Sequence, residues 1–178
     1  MKKLLLILSI FLFAAGLGFS QRTYNIPESG IAQVEISVPI DKWTVTNKDG
    51  LFSMVPNDSG ESARLITMMW ASVDPYAEDA IDVLTDDAFS VIESLLVDIT
   101  WSEETTDFES NGISFVANDG FGYYVNDDGS RDKMSTTIML MMPDDTNILT
   151  LVFFSTSAAY DKWEANLLEV ILSIKPAK

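Results

Sequence analysis

The residues best suited to chemistry are concentrated in one short acidic stretch, NDDGSRDK, at positions 126–133. Asp127, Asp128 and Asp132 supply carboxylate oxygens around a glycine, and calcium takes about six to eight oxygen ligands. The spacing departs from the EF-hand pattern, because the twelfth position counted from Asp127 is Ile138 rather than glutamate. Asn and Asp also favour turns by hydrogen bonding to their own backbone. We therefore expect a turn, with a calcium site as the alternative.

Ser130 and Lys133 in the same stretch match the S-x-x-K pattern of serine acyl enzymes, in which the lysine helps to activate the serine. The accompanying S-D-N and K-T-G motifs are absent, and the stretch is typical of a hairpin turn. The 27 acidic residues could also provide the carboxylate pair of a glycoside hydrolase, but spacing along the chain does not show which acids meet. A hydrolase is the least favoured hypothesis.

Composition limits the remaining chemistry. The chain has no histidine and no cysteine, which excludes a Ser-His-Asp triad, a cysteine nucleophile, disulfides and the usual ligands of structural zinc. Thioether sulfur could bind copper(I), but methionine at strand spacing more often fills gaps in a core. The methionines concerned are Met68, Met69, Met134, Met139, Met141 and Met142. We expect no catalytic residues, and no cofactor apart from the calcium alternative.

Tryptophans provide the other candidate surface, since an exposed aromatic platform could bind a partner or a glycan. Trp43 and Trp163 are considered with Trp101, but Trp163 lies in an apolar helical stripe and is expected in the core. Trp101 has acidic neighbours and is the better candidate for a partner surface. The acidic run from 103 to 107 is most simply explained as solvated surface.

The first 20 residues have the composition of an export signal. Lys2 and Lys3 precede an apolar run from Leu4 to Leu17, and Gly18 and Ser20 are the small residues that a signal peptidase recognises. We expect cleavage after Ser20, and no second long apolar run follows. The leader resembles those of Gram-negative bacteria, and no cysteine is present to carry a lipid. The predicted location is the periplasm or the extracellular space, without stable membrane insertion after cleavage.

The net charge of the chain limits the classes of molecule that it can bind. Loss of the leader removes two lysines, which leaves nine basic and 27 acidic residues and a net charge of −18 over 158 residues. Tight binding to nucleic acid depends on Lys and Arg neutralising phosphates, so this chain is expected to repel nucleic acid and anionic lipid. The acidity is explained by solubility, by a cation or by a basic partner.

The mature chain is predicted to be a single domain over residues 31–178, preceded by a short arm at 21–30. Strands are indicated by alternation from residue 34 to 38, by a hairpin around Asn47-Lys48-Asp49-Gly50, and by apolar residues on both faces of 64–73. Asp74-Pro75 then opens a long amphipathic helix that the periodicity extends to Ile99.

Further strands and a second helix complete the predicted order. A second hairpin is expected around a turn at Asn118-Asp119-Gly120. Two long strands, Lys133–Met142 and Asn147–Ser155, are apolar on both faces, and Ser157 caps a C-terminal helix. The fold class is therefore α+β, with three α/β/α layers. We expect a central antiparallel sheet, one long helix on one face and the C-terminal helix on the other.

This order resembles that of the PsbP-like fold family. The resemblance rests on a tryptophan in an early strand (DKWTV, Trp43), the long acidic helix after a strand, and the ending LTLVFFSTSAAYDKWEANLLEVILSIKP. It covers residues 31–176. Members of this family are mostly accessory binding proteins rather than enzymes, and no site residues can be transferred position by position. The resemblance implies an exported, non-enzymatic accessory protein that binds a protein partner in the cell envelope; the alternative is a calcium- or small-ligand-binding module.

Overall fold

Alternating apolar residues form long strands through most of this chain, as seen in a computed structural model that describes residues 20–57, 65–71, 80–144 and 147–178. Residues 1–19 of the predicted leader, which spans 1–20, lie outside the described residues. The described elements, in chain order, are β1 (Gln21–Ile26), β2 (Val34–Pro39), β3 (Trp43–Lys48), β4 (Leu51–Pro56), β5 (Leu65–Ala71), α1 (Ala80–Leu95), β6 (Val97–Ser110), β7 (Ile113–Val125), β8 (Arg131–Met142), β9 (Leu149–Thr156), α2 (Ser157–Leu172) and β10 (Lys175–Pro176).

Seven strands form the central sheet in the order β3-β4-β5-β9-β8-β7-β6, and each neighbouring pair is antiparallel. The β3–β4 hairpin has the expected turn, because Asp49 and Gly50 have positive φ angles of 55° and 80°. β1, β2 and β10 form a separate antiparallel sheet. The α+β class and the central antiparallel sheet are confirmed, whereas the second sheet was not indicated by the sequence.

The two helices cover opposite faces of the central sheet, which confirms the three predicted layers. α1 packs on β8 and β9, where its buried Ala88 and Ile92 share a core with Met134 and Val152. α2 packs on the same two strands from the other side, over residues such as Leu151. We call these two sides of the central sheet the α1 face and the α2 face.

The larger core lies on the α2 face and includes the inward residues of the small sheet. Trp43 and Trp163 are both buried there, with ring centroids 5.3 Å apart, so neither belongs to an exposed aromatic platform. Thr156 is the N-cap of α2, because its Oγ1 accepts a hydrogen bond from the backbone N–H of Ala159. The helix is therefore capped one residue earlier than predicted.

The first half of the expected N-terminal arm is a strand. β1 pairs with β2, with Gln21 opposite Pro39 and Ile26 opposite Val34. Ile26 is fully buried and belongs to the larger core. Its burial, together with the backbone pairing, ties residues 21–26 to the rest of the domain.

The long helix ends earlier than its periodicity predicted. The described part is Ala80–Leu95, and residues 74–79 lie outside the described residues. The backbone N–H of Leu96 still bonds to the carbonyl of Ile92, but β6 begins at the next residue. Ile99 is on β6 and packs against the same core as α1, which explains why the apolar spacing continues past the helix. Among the described helices, none is long and apolar enough to cross a bilayer.

The prediction of a turn at Asn118-Asp119-Gly120 is wrong. β7 runs without interruption from Ile113 to Val125 and pairs along that length with β8. The turn that joins β6 to β7 lies instead at Asn111 and Gly112, which have φ angles of 53° and 77°.

Gly120 has a packing role rather than a turning role. A Cβ atom at this position would lie 2.6 Å from Cε3 of Trp101 and 3.0 Å from the carbonyl oxygen of Thr100. Glycine in a strand interior commonly marks such a close approach. The missing side chain allows the Trp101 indole to lie directly on β7.

We predict that Gly120→Ala destabilises the protein by about 1–3 kcal/mol, because the added methyl group must displace the Trp101 ring or the β6 backbone. Urea unfolding measures the change, and Ser114→Ala, at an exposed position of the same strand, serves as the matched control. If Gly120→Ala were as stable as that control, Trp101 would not rest on this glycine.

Candidate functional site

The acidic stretch forms the turn between β7 and β8. The backbone N–H of Asn126 bonds to the carbonyl of Ser130, and the N–H of Gly129 bonds to the carbonyl of Asn126. The Asn126 amide also donates to Asp132, and the Ser130 hydroxyl and N–H both donate to Oδ1 of Asp128, at 2.6 and 2.9 Å. Two of the three candidate calcium ligands thus accept hydrogen bonds within the turn, while Asp127 is exposed.

These hydrogen bonds also affect acidity. The Ser130 hydroxyl, and then its backbone N–H, hold the pKa of Asp128 below its usual value. Within residues 20–57, 65–71, 80–144 and 147–178, no three acidic side chains are grouped so as to hold a metal ion. Calcium binding by Asp127, Asp128 and Asp132 stays a prediction that a calcium titration can decide.

The S-x-x-K pair is not joined in the structure. Ser130 is exposed in the turn and bonds to Asp128, whereas the Lys133 ammonium lies over the ring of Phe121, 4.1 Å from its centroid. Glu28 and Asp128 both have lowered pKa values, Glu28 chiefly because it accepts a hydrogen bond from the Gly50 N–H, whereas a general acid needs a raised pKa. The geometry adds no support to the hydrolase hypothesis.

The candidate copper ligands are divided between the two sides of the sheet. Met134 is buried in the core under α1, whereas Met69, Met139 and Met141 are buried in the core under α2. Methionines separated by a sheet cannot share one metal ion. Their burial agrees with a packing role.

Trp101 is half-buried on the α1 face. Its ring meets Phe89 of α1 edge to face, with centroids 4.8 Å apart, and covers Gly120. Its role as a partner surface stays a prediction.

The opposite side of the same strands has a stronger candidate, because the covering layer ends partway along them. On the α2 face of β7, Ile113, Phe115 and Ala117 are buried, Phe121 and Tyr123 are half-buried, and Val125 is exposed. On β8 the same change runs from buried Met141, Met139 and Thr137 to exposed Ser135, Lys133 and Arg131. The α2 face is therefore buried along one part of β7 and β8 and exposed to solvent along the other. We call the exposed part the open end of the α2 face.

Two cations lie over two aromatic rings at this open end. The Lys133 ammonium lies 4.1 Å from the centroid of Phe121, and the Arg131 guanidinium lies 4.4 Å from the centroid of Tyr123. Arg131 extends further across β7 and forms an ion pair with Asp98 of β6. Cation–π contacts of this kind contribute about 0.5–1 kcal/mol each at exposed sites, which offsets part of the roughly 1.5–2 kcal/mol of side-chain entropy that ordering a Lys or Arg costs.

Apolar side chains border the two stacked pairs. Val97 is opposite Tyr123 in the β6–β7 register and is 44% exposed, and Val125 lies two residues further along β7 and is 46% exposed. We call the group formed by Val97, Phe121, Tyr123, Val125, Arg131 and Lys133 the cation–aromatic surface. It combines exposed apolar area, two aromatic rings and an arginine, which are enriched at protein interfaces, with a lysine.

A bulge in β6 helps to form this surface. The register changes between Val97 and Thr100, and Asp98 in between has a φ angle of 52°, a conformation that aspartate tolerates better than most residues. At this bulge the Asp98 carboxylate forms its ion pair with the Arg131 guanidinium. Our sequence reasoning missed the surface, although the alternation of Phe121 with Tyr123 and of Arg131 with Lys133 indicated that each pair shares a face.

Comparison with known proteins gives the fold. No protein-family profile matches the sequence, and no curated protein matches it significantly. Among solved structures, cyanobacterial PsbP (CyanoP) from Synechocystis sp. PCC 6803 is similar with a TM-score of 0.55 at 12% identity, over 93% of this chain and 99% of CyanoP. The chain has a PsbP-like fold. LpqN of Mycobacterium tuberculosis, described as involved in cell envelope biogenesis, is similar with a TM-score of 0.51 at 12% identity, over 89% of this chain and 92% of LpqN.

The PsbP-like fold agrees with the resemblance seen in the sequence, but at 12% identity it does not transfer site residues. The evidence for the cation–aromatic surface therefore comes from the contacts within this chain alone. Its two cations stand in a protein of net charge −16, which makes their placement together on one face informative.

The Asp128 hydrogen bonds lead to a pH prediction. A folded-state pKa below the unfolded value of about 3.9 stabilises the fold above that pH, and the contribution is lost as pH falls through the lowered folded pKa. Ser130→Ala should raise the pKa of Asp128 towards its usual value, as followed by NMR titration of the side-chain carboxyl carbon. Ser114→Ala is the control, and an unchanged Asp128 titration in Ser130→Ala would contradict the assignment.

Proposed function

We propose that this protein is an exported, non-enzymatic accessory protein of the cell envelope that binds a protein partner through the cation–aromatic surface. The proposal is carried by one observation: the α2 face leaves an uncovered end at which apolar area and two oriented cations lie together. Most apolar residues of this sheet are covered by a helix or by the small sheet. An exposed apolar area at the end of such a face is a common feature of interaction sites.

The contacts within the surface favour a docking role over a solvated one. Lys and Arg side chains on a free surface lose conformational entropy when they bind a partner. Here Lys133 is already held by Phe121, and Arg131 is already held by Tyr123 and Asp98. A partner would therefore bind side chains that are partly oriented beforehand.

The comparisons support the accessory role by analogy. LpqN, which has a similar fold, is involved in cell envelope biogenesis of Mycobacterium tuberculosis. The leader composition supports export, with cleavage predicted after Ser20. Periplasmic or extracellular location is part of this proposal.

Site-specific photocrosslinking in the native envelope tests the proposal. A photoreactive amino acid at Val125 should give one dominant, reproducible protein adduct, identified by mass spectrometry. The matched control is Ile40, which is 43% exposed but lies between β2 and β3, away from the surface.

The two positions separate the outcomes. An adduct from Val125 that is missing from Ile40 supports docking at the cation–aromatic surface. The same adducts from both positions, or no adduct from Val125, would overturn the proposed function.

A further inference from the structure

We propose that the cation–aromatic surface recognises an extended acidic segment of its protein partner, in which two carboxylates are separated by one residue. This inference rests on the proposed function and names the chemistry of the partner. The basis is the spacing, the orientation and the pairing state of the two cations.

The spacing follows from strand geometry. Arg131 and Lys133 are two residues apart on β8 and project from the α2 face, so their Cα atoms lie about 6.8 Å apart. Alternate side chains of an extended peptide have the same repeat. Carboxylates at positions i and i+2 of such a segment would therefore match the two cations in register.

Lys133 and Arg131 both have N–H donors that their contacts within the protein do not use. In the described part of the chain, no carboxylate lies within ion-pair distance of Lys133, although the protein has 27 acidic residues. Arg131 uses one Nη atom for Asp98, and a guanidinium has five N–H donors in all. Both side chains can thus donate hydrogen bonds to a carboxylate of a partner.

Acidic groups also lie near this surface. Asp98 is paired with Arg131, Asp128 accepts two hydrogen bonds from Ser130 without losing its charge, and Asp127 is exposed in the turn that follows Val125. Asp119 lies two residues before Phe121 on the same face and accepts a hydrogen bond from Thr137. The net negative charge of the whole chain acts over longer distances, and salt screens it beyond about 8 Å under physiological conditions.

The apolar border adds contacts for the side of the segment that carries the carboxylates. Val97 and Val125 are exposed next to Tyr123, so the aliphatic stems of the two acidic side chains would lie near them, whereas the intervening side chain points away from the sheet. Burial of this area supplies affinity, whereas the charges mainly supply specificity and register. A purely acidic ligand such as free phosphate lacks the apolar contact and should bind poorly.

The test measures peptide binding to the full mature protein. The probe is a short acetylated and amidated peptide with two glutamates separated by one valine, titrated at low salt and followed by backbone amide NMR shifts. We compare it with a lysine counterpart and with a rearranged peptide in which the two glutamates are adjacent. Shifts should be largest at Phe121, Tyr123, Val125 and Lys133.

Charge variants identify the groups that bind. Lys133→Glu should weaken binding of the spaced peptide by about 10-fold or more, and Lys133→Arg should keep it within about 3-fold. Lys48→Glu is the matched control, because it makes the same charge change at the exposed last residue of β3, whose ion pair is with its neighbour Asp49. That control should bind like the unchanged protein.

The outcomes distinguish this inference from the proposed function. Equal binding of the spaced, rearranged and lysine peptides, or equal weakening by Lys133→Glu and Lys48→Glu, would overturn acidic-segment recognition. A Val125 crosslink that persists in Lys133→Glu would overturn it as well, while leaving the docking function intact. Selective peptide binding without any Val125 crosslink would instead overturn the docking function.

Discussion

The architecture depends on burying β9 from both sides. All eight of its residues are buried, and both helices pack on it and on its neighbour β8. Backbone N–H and C=O groups that are buried away from water need hydrogen-bond partners. β5 and β8 supply these partners along almost the full length of β9. Because a strand has two faces, its burial requires a layer on each side, and the three-layer arrangement follows from that requirement.

The same constraint explains where the protein is left open. The layer over the α2 face covers only part of the length of β7 and β8, so the face is uncovered towards one end of these long strands. The side chains of the α2 face change accordingly, from Phe115 and Met139 in the core to the stacked pairs formed by Phe121 with Lys133 and Tyr123 with Arg131. The cations lie over rings that would otherwise meet water, and the long strands extend this surface beyond the core.

Sequence patterns predicted the elements that depend on local chemistry. The Asp49-Gly50 turn, the apolar residues on both faces of β9 and the stripe containing Trp163 each encode their structure within a few residues. The glycine at 120 was misread, because a close approach by Trp101 and a tight turn both require glycine. The cation–aromatic surface requires the register of three strands and a bulge at Asp98, and neither is encoded locally.

Hydroxyl-radical footprinting with mass spectrometry tests most directly whether the open end of the α2 face is where this protein meets its partner. In the isolated mature protein, Tyr123 should be labelled and Phe115 protected, since the covering layer ends between them. In the intact native envelope, Tyr123 should become protected while Phe115 is unchanged. Equal labelling of Tyr123 in both preparations would contradict the account, and so would its protection in the isolated protein.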